Sequence, residues 1–481
     1  MKKHFLLVSA ALIMTVTSCS NQKEGSAPKV RTEIYTDAPD TSRATAEESN
    51  ENVILTYAVV GQIEPDEYEL IKKFNDADNG YVIETRDYSE IAGADENGNI
   101  EYDPEKSNNL DIILLQDIAS GKIDIVRDYY LGGATLDRLM ARGSFIDLYD
   151  LMDTDHEVNS FTLNSHILEL HEINGKLYTL PTYFSVKTLI GKTRYVGEKE
   201  GWTLDEFISH WEQMPEGSTI QGSTEKDIVY QAILNGMIDS FIDYKNAKVY
   251  FDSPEFKKAL EFCNTFDNIS LVYSEPDMEA LSFVDEKHFY GFSNTHLTLW
   301  NKEGEPYTFV GYPSSDGCGG FIETLGNRFA ISASASETER LGAWEFIRTY
   351  CLEEYQTEHY AKKDKVMIDG EIKDVYQESV GFPMNLKAYD HISKDSMTGK
   401  YMEDTITMSG KEVEVGQLTQ EELDRLTSYI NRIQNLSVAV DHNLNEIIRD
   451  EVYSYFNDEL SVQECIDLIQ NRAAIMVAEK Q

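Results

Sequence analysis

Short apolar segments alternate with amphipathic ones in the part of the chain that follows residue 52. Residues 53–60 (VILTYAVV), 81–86 (YVIETR) and 111–115 (DIILL) have the length and composition of strands, whereas residues 65–75 have the composition of a helix. Short apolar runs bounded by polar turns predict buried strands. Strands that alternate with helices predict a largely parallel sheet with helices on both faces. The chain is therefore predicted to have an α/β fold.

Four helix starts have the sequence of a reciprocal capping box, in which a Ser or Thr and a Glu three residues later bind each other's backbone amides. Each pair precedes an amphipathic run, so the pattern predicts a helix at each position. The pairs are Thr203 with Glu206, Ser336 with Glu339, Thr419 with Glu422, and Ser461 with Glu464.

The first residues have the layout of an export signal. Residues 1–4 (MKKH) are cationic and residues 5–16 are nearly all apolar, an order that is typical of a leader removed on export. The apolar run is too short for a permanent membrane span, which needs about 20 residues. Residues 1–18 are therefore predicted to be a signal peptide.

A cysteine follows this leader. The segment Val16-Thr17-Ser18-Cys19 resembles the lipobox of bacterial lipoproteins, which implies that the Cys19 thiol is acylated and that Cys19 becomes the first residue of the mature protein. An ordinary secretory signal with a chance cysteine is the alternative. Because residues 20–52 contain almost no large apolar residue, residues 19–52 are predicted to be a lipidated cysteine followed by a disordered linker.

The chain is strongly acidic. It has 42 Lys and Arg residues against 85 Asp and Glu residues, and its formal net charge at pH 7 is -43. Such a surface repels nucleic acid and anionic lipid, so we expect no nucleic-acid partner. The hydrophobic content of 41% over 481 residues is enough for the cores of two or three domains.

The cysteine pattern argues against a metal or redox centre. After Cys19 the chain contains Cys263, Cys318, Cys351 and Cys465, with no CxxC motif and no accompanying histidine pattern, which metal and redox sites usually have. We therefore expect neither a metal nor a cofactor. Since three of these cysteines, all but Cys318, lie in predicted helices as small apolar residues, we expect mostly free, buried thiols.

Seven longer segments are informative when they are taken together in chain order. They are residues 174–181 (NGKLYTLP), 201–207 (GWTLDEF), 250–262 (YFDSPEFKKALEF), 311–317 (GYPSSDG), 329–333 (FAISA), 343–347 (AWEFI) and 447–472. In this order they resemble the extracellular solute-binding proteins of ABC importers, specifically family 1, whose members mostly carry sugars. The resemblance covers nearly all of the chain after residue 52, although no single segment is specific by itself.

The resemblance implies a two-lobed α/β fold of the type II periplasmic-binding-protein kind, with mixed sheets flanked by helices and a ligand cleft between the lobes. Residues 53–181 and 319–352 are expected to form one lobe, and residues 182–318 and 353–481 the other. The expected partners are a small-molecule solute, above all a sugar or oligosaccharide, and the permease subunits of an ABC importer. The resemblance also implies a monomer that is not an enzyme. Together with the lipobox-like segment at Cys19, it implies a protein that is lipid-anchored on the extracytoplasmic face of the bacterial cell membrane.

Candidate ligand-binding residues follow from the chemistry of sugars. A sugar site needs flat aromatic faces and planar polar groups in a cleft that excludes water, and clefts in α/β sheets lie beyond the carboxyl ends of strands. Packing in a core is the alternative for every aromatic residue, because the chain has 28 Tyr and 20 Phe. The candidates are Tyr57, Gln116, Asp117, Tyr183, Phe184 and Trp300, followed by Tyr312 and Asp316 in a glycine-rich loop.

Two other functions stay open. The chain has no HExxH, GxSxG or GxxxxGKS/T motif, which would indicate common hydrolases or a nucleotide site. A secreted glycosidase needs only two carboxylates at a suitable separation, however, and 85 acidic residues offer many pairs. A sensor or adhesion lipoprotein with the same two-lobed fold is the other alternative.

Overall fold

The structure is a computed structural model. It describes residues 52–479 apart from the positions 62, 96–99, 101–103, 128–138, 141, 235, 244–247, 268–281, 293–305, 315–316, 318, 369–370, 377–379, 401–404, 409–410, 415–417 and 438–441.

Fifteen strands are present among the described residues. They are β1 (Val53–Val59), β2 (Tyr81–Asp87), β3 (Ile125–Arg127), β4 (Leu180–Lys192), β5 (Ile242–Asp243), β6 (Lys248–Val249), β7 (Asp285–Phe289), β8 (Tyr307–Phe309), β9 (Phe321–Ile331), β10 (Lys363–Ile368), β11 (Glu371–Tyr376), β12 (Phe382–Pro383), β13 (Thr405–Met408), β14 (Lys411–Glu414) and β15 (Asn435–Leu436).

The α-helices of the described part of the chain range from one turn to five. They are α1 (Pro65–Asn75), α2 (Ser89–Ala92), α3 (Pro104–Ala119), α4 (Tyr149–Met152), α5 (Ser165–Leu170), α6 (Thr193–Val196), α7 (Leu204–Trp211), α8 (Lys226–Ile233), α9 (Pro254–Cys263), α10 (Glu337–Ile347), α11 (Glu353–Tyr360), α12 (Leu386–Met397), α13 (Gln420–Ile430), α14 (His442–Phe456) and α15 (Val462–Glu479). Two short 3₁₀ helices lie at Ile238–Phe241 and Arg348–Cys351. In the described regions, no helix combines the length and apolar character needed to cross a membrane.

One large mixed sheet organises the fold. Its strand order is β12-β4-β9-β3-β1-β2, with β7 and β8 also paired to β4, and β15 to β9. β1 runs parallel to β2 and β3, and β15 runs parallel to β9. The pairs that join β9 to β3 and to β4 are antiparallel. The largely parallel sheet predicted from the sequence is therefore confirmed around β1 and corrected to a mixed sheet beyond it.

Two long strands run through the whole sheet, β4 with 13 residues and β9 with 11. We call them the crossing strands. The first half of β4 pairs with β12, whereas its second half pairs with β7 and β8. The C-terminal end of β9 pairs with β3, and its N-terminal end pairs with β15. The crossing strands therefore connect two differently composed halves of the sheet.

Two large hydrophobic cores pack against this sheet. The first surrounds β1, β2 and the first part of β4, and it includes residues of α10, α12 and α13. The second is built from α7, α8, α9, α14 and α15. Residues from the segment 382–430, which the sequence assigns to the second lobe, pack in the first core. The predicted lobe boundaries stay a prediction.

The strand predicted at residues 111–115 is wrong. These residues lie in α3, where Leu110, Leu114 and Ile118 are buried at helical spacing while Ile112 is half exposed. A short apolar run cannot be assigned to a strand or a helix by its composition. Here the spacing of four residues between the buried positions decides for the helix, because it places them on one face.

The predicted helix caps and free thiols are confirmed. Both hydrogen bonds of the capping box are present at Thr203, Ser336 and Thr419, and Ser461 and Glu464 exchange the same two bonds. The cysteines at 263, 351 and 465 are free and buried. Cys318 lies outside the described residues.

Candidate functional site

Charged and polar side chains meet on one face of the crossing strands. Ser185 and Lys187 lie on β4, Glu323 lies on β9, and Glu286 and His288 lie on β7. Ser185 pairs with Glu323 and Lys187 pairs with His288 in the sheet register. Because residues two apart on a strand share a face, these five side chains lie side by side. We call them the crossing-strand cluster.

The charged side chains of the cluster are partly buried but still accessible to solvent. The side chains of Lys187, Glu286, His288 and Glu323 are 25% to 29% exposed. The opposite face of β4 is different, because Val186 there is fully buried in the first core. Partly buried polar groups that remain accessible are what a binding site for a polar ligand requires.

Glu286 is the best-paired member of the cluster. Its carboxylate accepts a hydrogen bond of 2.6 Å from the Tyr312 hydroxyl, and it lies 3.3 Å from His288 Nε2 and 3.7 Å from Lys187 Nζ. Burial by itself raises the pKa of Glu286, but the hydrogen bonds from His288 and Tyr312 and the charge of Lys187 lower it overall. Glu286 is therefore held in its ionised form.

Glu323 has fewer partners. Its carboxylate accepts one long hydrogen bond of 3.3 Å from the Ser185 hydroxyl, and His288 Nδ1 lies 3.9 Å away, beyond hydrogen-bond distance. The same Nδ1 is 2.8 Å from the Tyr290 hydroxyl. An ionised carboxylate can accept about four hydrogen bonds, so within the described residues Glu323 retains most of its capacity as an acceptor.

Aromatic rings border the cluster at both ends. Tyr312 lies at one end, with Lys187 Nζ 5.9 Å from its ring centroid. At the other end Tyr183 shares the face of Ser185 on β4, and its ring centroid lies 5.6 Å from that of His359. Tyr355 stacks on the same His359 ring at 5.7 Å. Both bordering tyrosines are buried, Tyr312 fully and Tyr183 to 4% exposure, so they close the ends of the face while the carboxylates between them stay partly exposed.

The Tyr183 hydroxyl is buried and has no hydrogen-bond partner among the described residues. Burial raises the pKa of Tyr183 well above its usual value, so this hydroxyl stays protonated and remains a donor. His359 also stays neutral, because burial and the charge of Lys362 lower its pKa more than Asp66 raises it. Lys362 and Asp66 form an ion pair next to it.

The structure places Tyr57 inside the first core, where it is fully buried. Its hydroxyl donates a 2.5 Å hydrogen bond to Glu67, and Glu67 pairs with Arg127. Both members of this ion pair are only 4% exposed. Burial is the largest cause that raises the pKa of Tyr57, with the charge of Glu67 next. The predicted role of Tyr57 in ligand binding stays a prediction.

Gln116 and Asp117 lie near the end of α3 and not after a strand, which corrects their predicted setting. Gln116 is exposed. Asp117 is buried and already accepts a hydrogen bond of 2.8 Å from the Tyr88 hydroxyl, and it forms ion pairs with Arg86 at 2.8 Å and Lys122 at 3.0 Å. Their ligand role is still a prediction.

The remaining candidates divide into three groups. Tyr183 and Tyr312 are brought together by the structure as the two borders of the crossing-strand cluster. Phe184 points to the other face and packs in the first core against Phe382. Trp300 and Asp316 lie outside the described residues, so their part in a site stays a prediction.

The charged members of the cluster were not among the sequence candidates. A usable signal existed, because Lys187 and Glu323 each interrupt an apolar strand run, as in Ser185-Val186-Lys187 and Ile322-Glu323. Burying a charge costs free energy unless it is paired or functional, so isolated charges in such runs indicate a special position. Among the described residues, no group of His, Cys, Asp and Glu has the arrangement of a metal site.

Comparisons with known proteins agree on one family. The sequence profile of bacterial extracellular solute-binding proteins matches residues 69–367. A family 1 extracellular solute-binding protein from Alicyclobacillus acidocaldarius is structurally similar, with a TM-score of 0.50, 10% identity, and 89% of this chain and 100% of that chain covered. The sugar-binding protein MalE of Xanthomonas citri has a TM-score of 0.51 at 12% identity, with 89% and 98% covered. A search of curated proteins gives no match.

Proposed function

The chain belongs to the bacterial extracellular solute-binding proteins, and we propose that it captures a carbohydrate and delivers it to the permease of an ABC importer. The ligand is bound and released without chemical change. The two structurally similar proteins with TM-scores of 0.50 and 0.51 confirm the predicted mixed α/β fold of the two-lobed periplasmic-binding-protein kind.

The crossing-strand cluster is the observation that carries the proposal. Ser185, Lys187 and Glu323 lie on the crossing strands, and Glu286 and His288 lie on β7, which pairs with the second half of β4. Such a face offers hydrogen-bond acceptors for the hydroxyl groups of a sugar. The name of the Xanthomonas citri protein, a sugar-binding protein, supports the same class of ligand.

The mechanism we propose is a population shift between an open and a closed form. A ligand that contacts both lobes binds the closed form better and therefore shifts the equilibrium towards it. Because β4 and β9 are the strands shared by both halves of the sheet, they are the place where such a rotation must be accommodated. A permease that recognises the closed form then receives loaded protein.

We also propose that Cys19 is acylated and that the linker of residues 20–52 holds the folded unit near the membrane. The lipobox-like segment Val16-Thr17-Ser18-Cys19 supports this assignment. Labelling of expressing cells with radioactive palmitate should mark the wild-type protein and leave Cys19→Ser unmarked. Palmitate label on Cys19→Ser would contradict the assignment.

A ligand screen tests the carbohydrate assignment. Leaderless protein is heated with single mono- and oligosaccharides, and with amino acids, peptides and polyols as other solute classes. A specific ligand at 100 times its Kd stabilises the protein by about 2.7 kcal/mol, so at least one carbohydrate should raise Tm. A Tm that only another solute class raises would overturn the carbohydrate assignment.

Two further measurements separate binding from the alternatives. X-ray scattering with and without the identified ligand should give a smaller radius of gyration in the bound state, because the lobes close. Incubation with oligosaccharides should produce no new reducing ends. New reducing ends would favour the glycosidase alternative.

A further inference from the structure

We propose that the crossing-strand cluster selects uncharged, hydroxyl-rich ligands, and that Glu323 is the residue that binds their hydroxyls and rejects acidic ligands. This inference rests on the proposed function, because it names the class of carbohydrate that the same site takes.

The two carboxylates of the cluster differ in how completely they are paired. Glu286 has Tyr312, His288 and Lys187 around it at 2.6, 3.3 and 3.7 Å. Glu323 has one hydrogen bond of 3.3 Å from Ser185. Hydrogen bonds to an ionised acceptor are stronger than those between neutral groups. A ligand hydroxyl therefore gains more from Glu323, whose acceptor positions are open, than from Glu286.

The charges around Glu323 set the sign of the selectivity. Lys187 Nζ is directed to Glu286, and among the described residues the ionisable nitrogen within 4.0 Å of the Glu323 carboxylate is His288 Nδ1, at 3.9 Å. Two carboxylates therefore face one lysine in this cluster. A ligand carboxylate placed here repels Glu323, and this repulsion is strong at a partly buried site, where the effective dielectric is low.

The geometry also indicates what is accepted. The side chain of Glu323 is 25% exposed, so a ligand on this face reaches it without unfolding the sheet. Two adjacent hydroxyl groups of a pyranose can donate to the two carboxylate oxygens at once. The Tyr290 hydroxyl, which is in contact with His288 at 2.8 Å, adds a donor and acceptor beside them.

Matched pairs of neutral and acidic sugars test the inference by titration calorimetry on the leaderless protein. Three of the pairs are glucose and glucuronate, galactose and galacturonate, and trigalactose and trigalacturonate. A fourth pair is the neutral carbohydrate that binds best in the screen and its uronic acid form. Wild type should bind the neutral member at least about tenfold more tightly, which is the effect of roughly one lost charged interaction.

Two substitutions with opposite effects identify the residue. Glu323→Gln should weaken binding of the neutral ligand roughly 10- to 100-fold and reduce the preference over the acidic partner. Lys187→Met removes the cation of the cluster and should increase that preference. Glu421→Gln, an exposed glutamate on α13, is the matched control and should behave as wild type. Circular dichroism of each ligand-free variant checks that it folds. If Glu323→Gln does not fold, the change in preference measured for Lys187→Met tests the inference instead.

The outcomes distinguish this inference from the proposed function. Equal or tighter binding of acidic sugars by wild type, or a Glu323→Gln variant that binds like wild type, would overturn the role of Glu323 while carbohydrate capture stands. If no carbohydrate of either kind binds, the proposed function and this inference are both wrong.

Discussion

Glu67 and Glu323 are both glutamates among polar neighbours, but their surroundings differ. Glu67 is buried and engages the Arg127 guanidinium and the Tyr57 hydroxyl. Glu323 is partly exposed and has a single long hydrogen bond from Ser185. A buried charge with a full set of partners maintains the fold, since removing one partner leaves the other uncompensated. A carboxylate with open acceptor positions can instead be completed by a ligand.

The largest change in the free energy of unfolding is expected when the buried glutamate, Glu67, is replaced by glutamine. Glu67→Gln removes the negative charge next to Arg127 and should lower the free energy of unfolding by about 3–5 kcal/mol. Urea denaturation at pH 7 measures it, with Glu421→Gln as the exposed control, expected within about 0.5 kcal/mol of wild type. A loss below about 1 kcal/mol at Glu67 would mean that the buried pair contributes little.

A buried group without a charged partner extends the comparison to pH. His171 is buried between the Ile167 carbonyl and the Thr324 hydroxyl, both at 2.7 Å, and burial lowers its pKa from 6.5 to about 4. The unfolded chain therefore binds a proton at a pH where the folded protein does not. The stability that depends on neutral His171 is complete above about pH 6.5 and falls by up to about 3 kcal/mol towards pH 4.

The measurement is urea denaturation between pH 7 and pH 4 of wild type and His171→Gln. The stability difference between the two should shrink as the pH falls, because the glutamine variant has no proton to take up. A difference that is constant over this range would contradict the assignment of a neutral, buried imidazole.

Asp155 is a well-paired carboxylate nearer the surface and should have a smaller effect. It binds Arg348 at 2.5 and 3.1 Å and Trp344 Nε1 at 2.9 Å. Burial would raise the pKa of Asp155, but the hydrogen bonds from Arg348, from backbone amides and from Trp344 lower it. Asp155→Asn should therefore cost about 1.5–3 kcal/mol at pH 7.

Against the effect of burial, the pKa of Asp155 is lowered by hydrogen bonds to its charged form, whereas the pKa of His171 is lowered by burial of its neutral form. Because the folded pKa of Asp155 is depressed, its contribution is present above the unfolded pKa of about 4 and is lost as the pH falls through the lower folded value. Denaturation of wild type and Asp155→Asn at pH 7 and pH 3 should show the gap narrowing at acid pH. An unchanged gap would indicate that the carboxylate charge is not what stabilises this contact.

The smallest effect on stability is expected at the candidate site. Glu323→Gln should change the free energy of unfolding of the ligand-free protein by less than about 0.5 kcal/mol, because one long hydrogen bond to a partly exposed group contributes little. The urea denaturation used for Glu67 measures it. A cost above about 2 kcal/mol would make Glu323 a structural residue and would weaken the case for a ligand contact.

Local patterns predicted the parts of the fold that depend on neighbouring residues. The capping boxes at Thr203 and Ser336 were readable because both hydrogen bonds join residues three positions apart. The strand at 53–60 and the helix at 65–75 were recognised from composition and spacing. The run at 111–115 was misassigned, because its helical stripe begins at Leu110 and becomes clear only with Ile118 included.

The candidate site depended on information that local patterns do not contain. The sequence offers Tyr183 and Tyr312 as candidates, and they border the cluster. Lys187, Glu286 and Glu323 were missed, although they are the groups between those tyrosines. Nothing in the neighbourhood of Lys187 indicates that a residue 136 positions further along the chain shares its face.

The amino-acid sequence by itself determined the class of fold, the helix starts, the acidic surface and the free, buried thiols, because each follows from periodicity, short-range hydrogen bonds or composition. Only the tertiary structure decided which polar side chains converge and how completely each is paired. Strand register joins Ser185 to Glu323 and Lys187 to His288 across long stretches of chain. Such pairings are set by the packing of two cores against shared strands, and they place one carboxylate in a closed network and leave another open to a ligand.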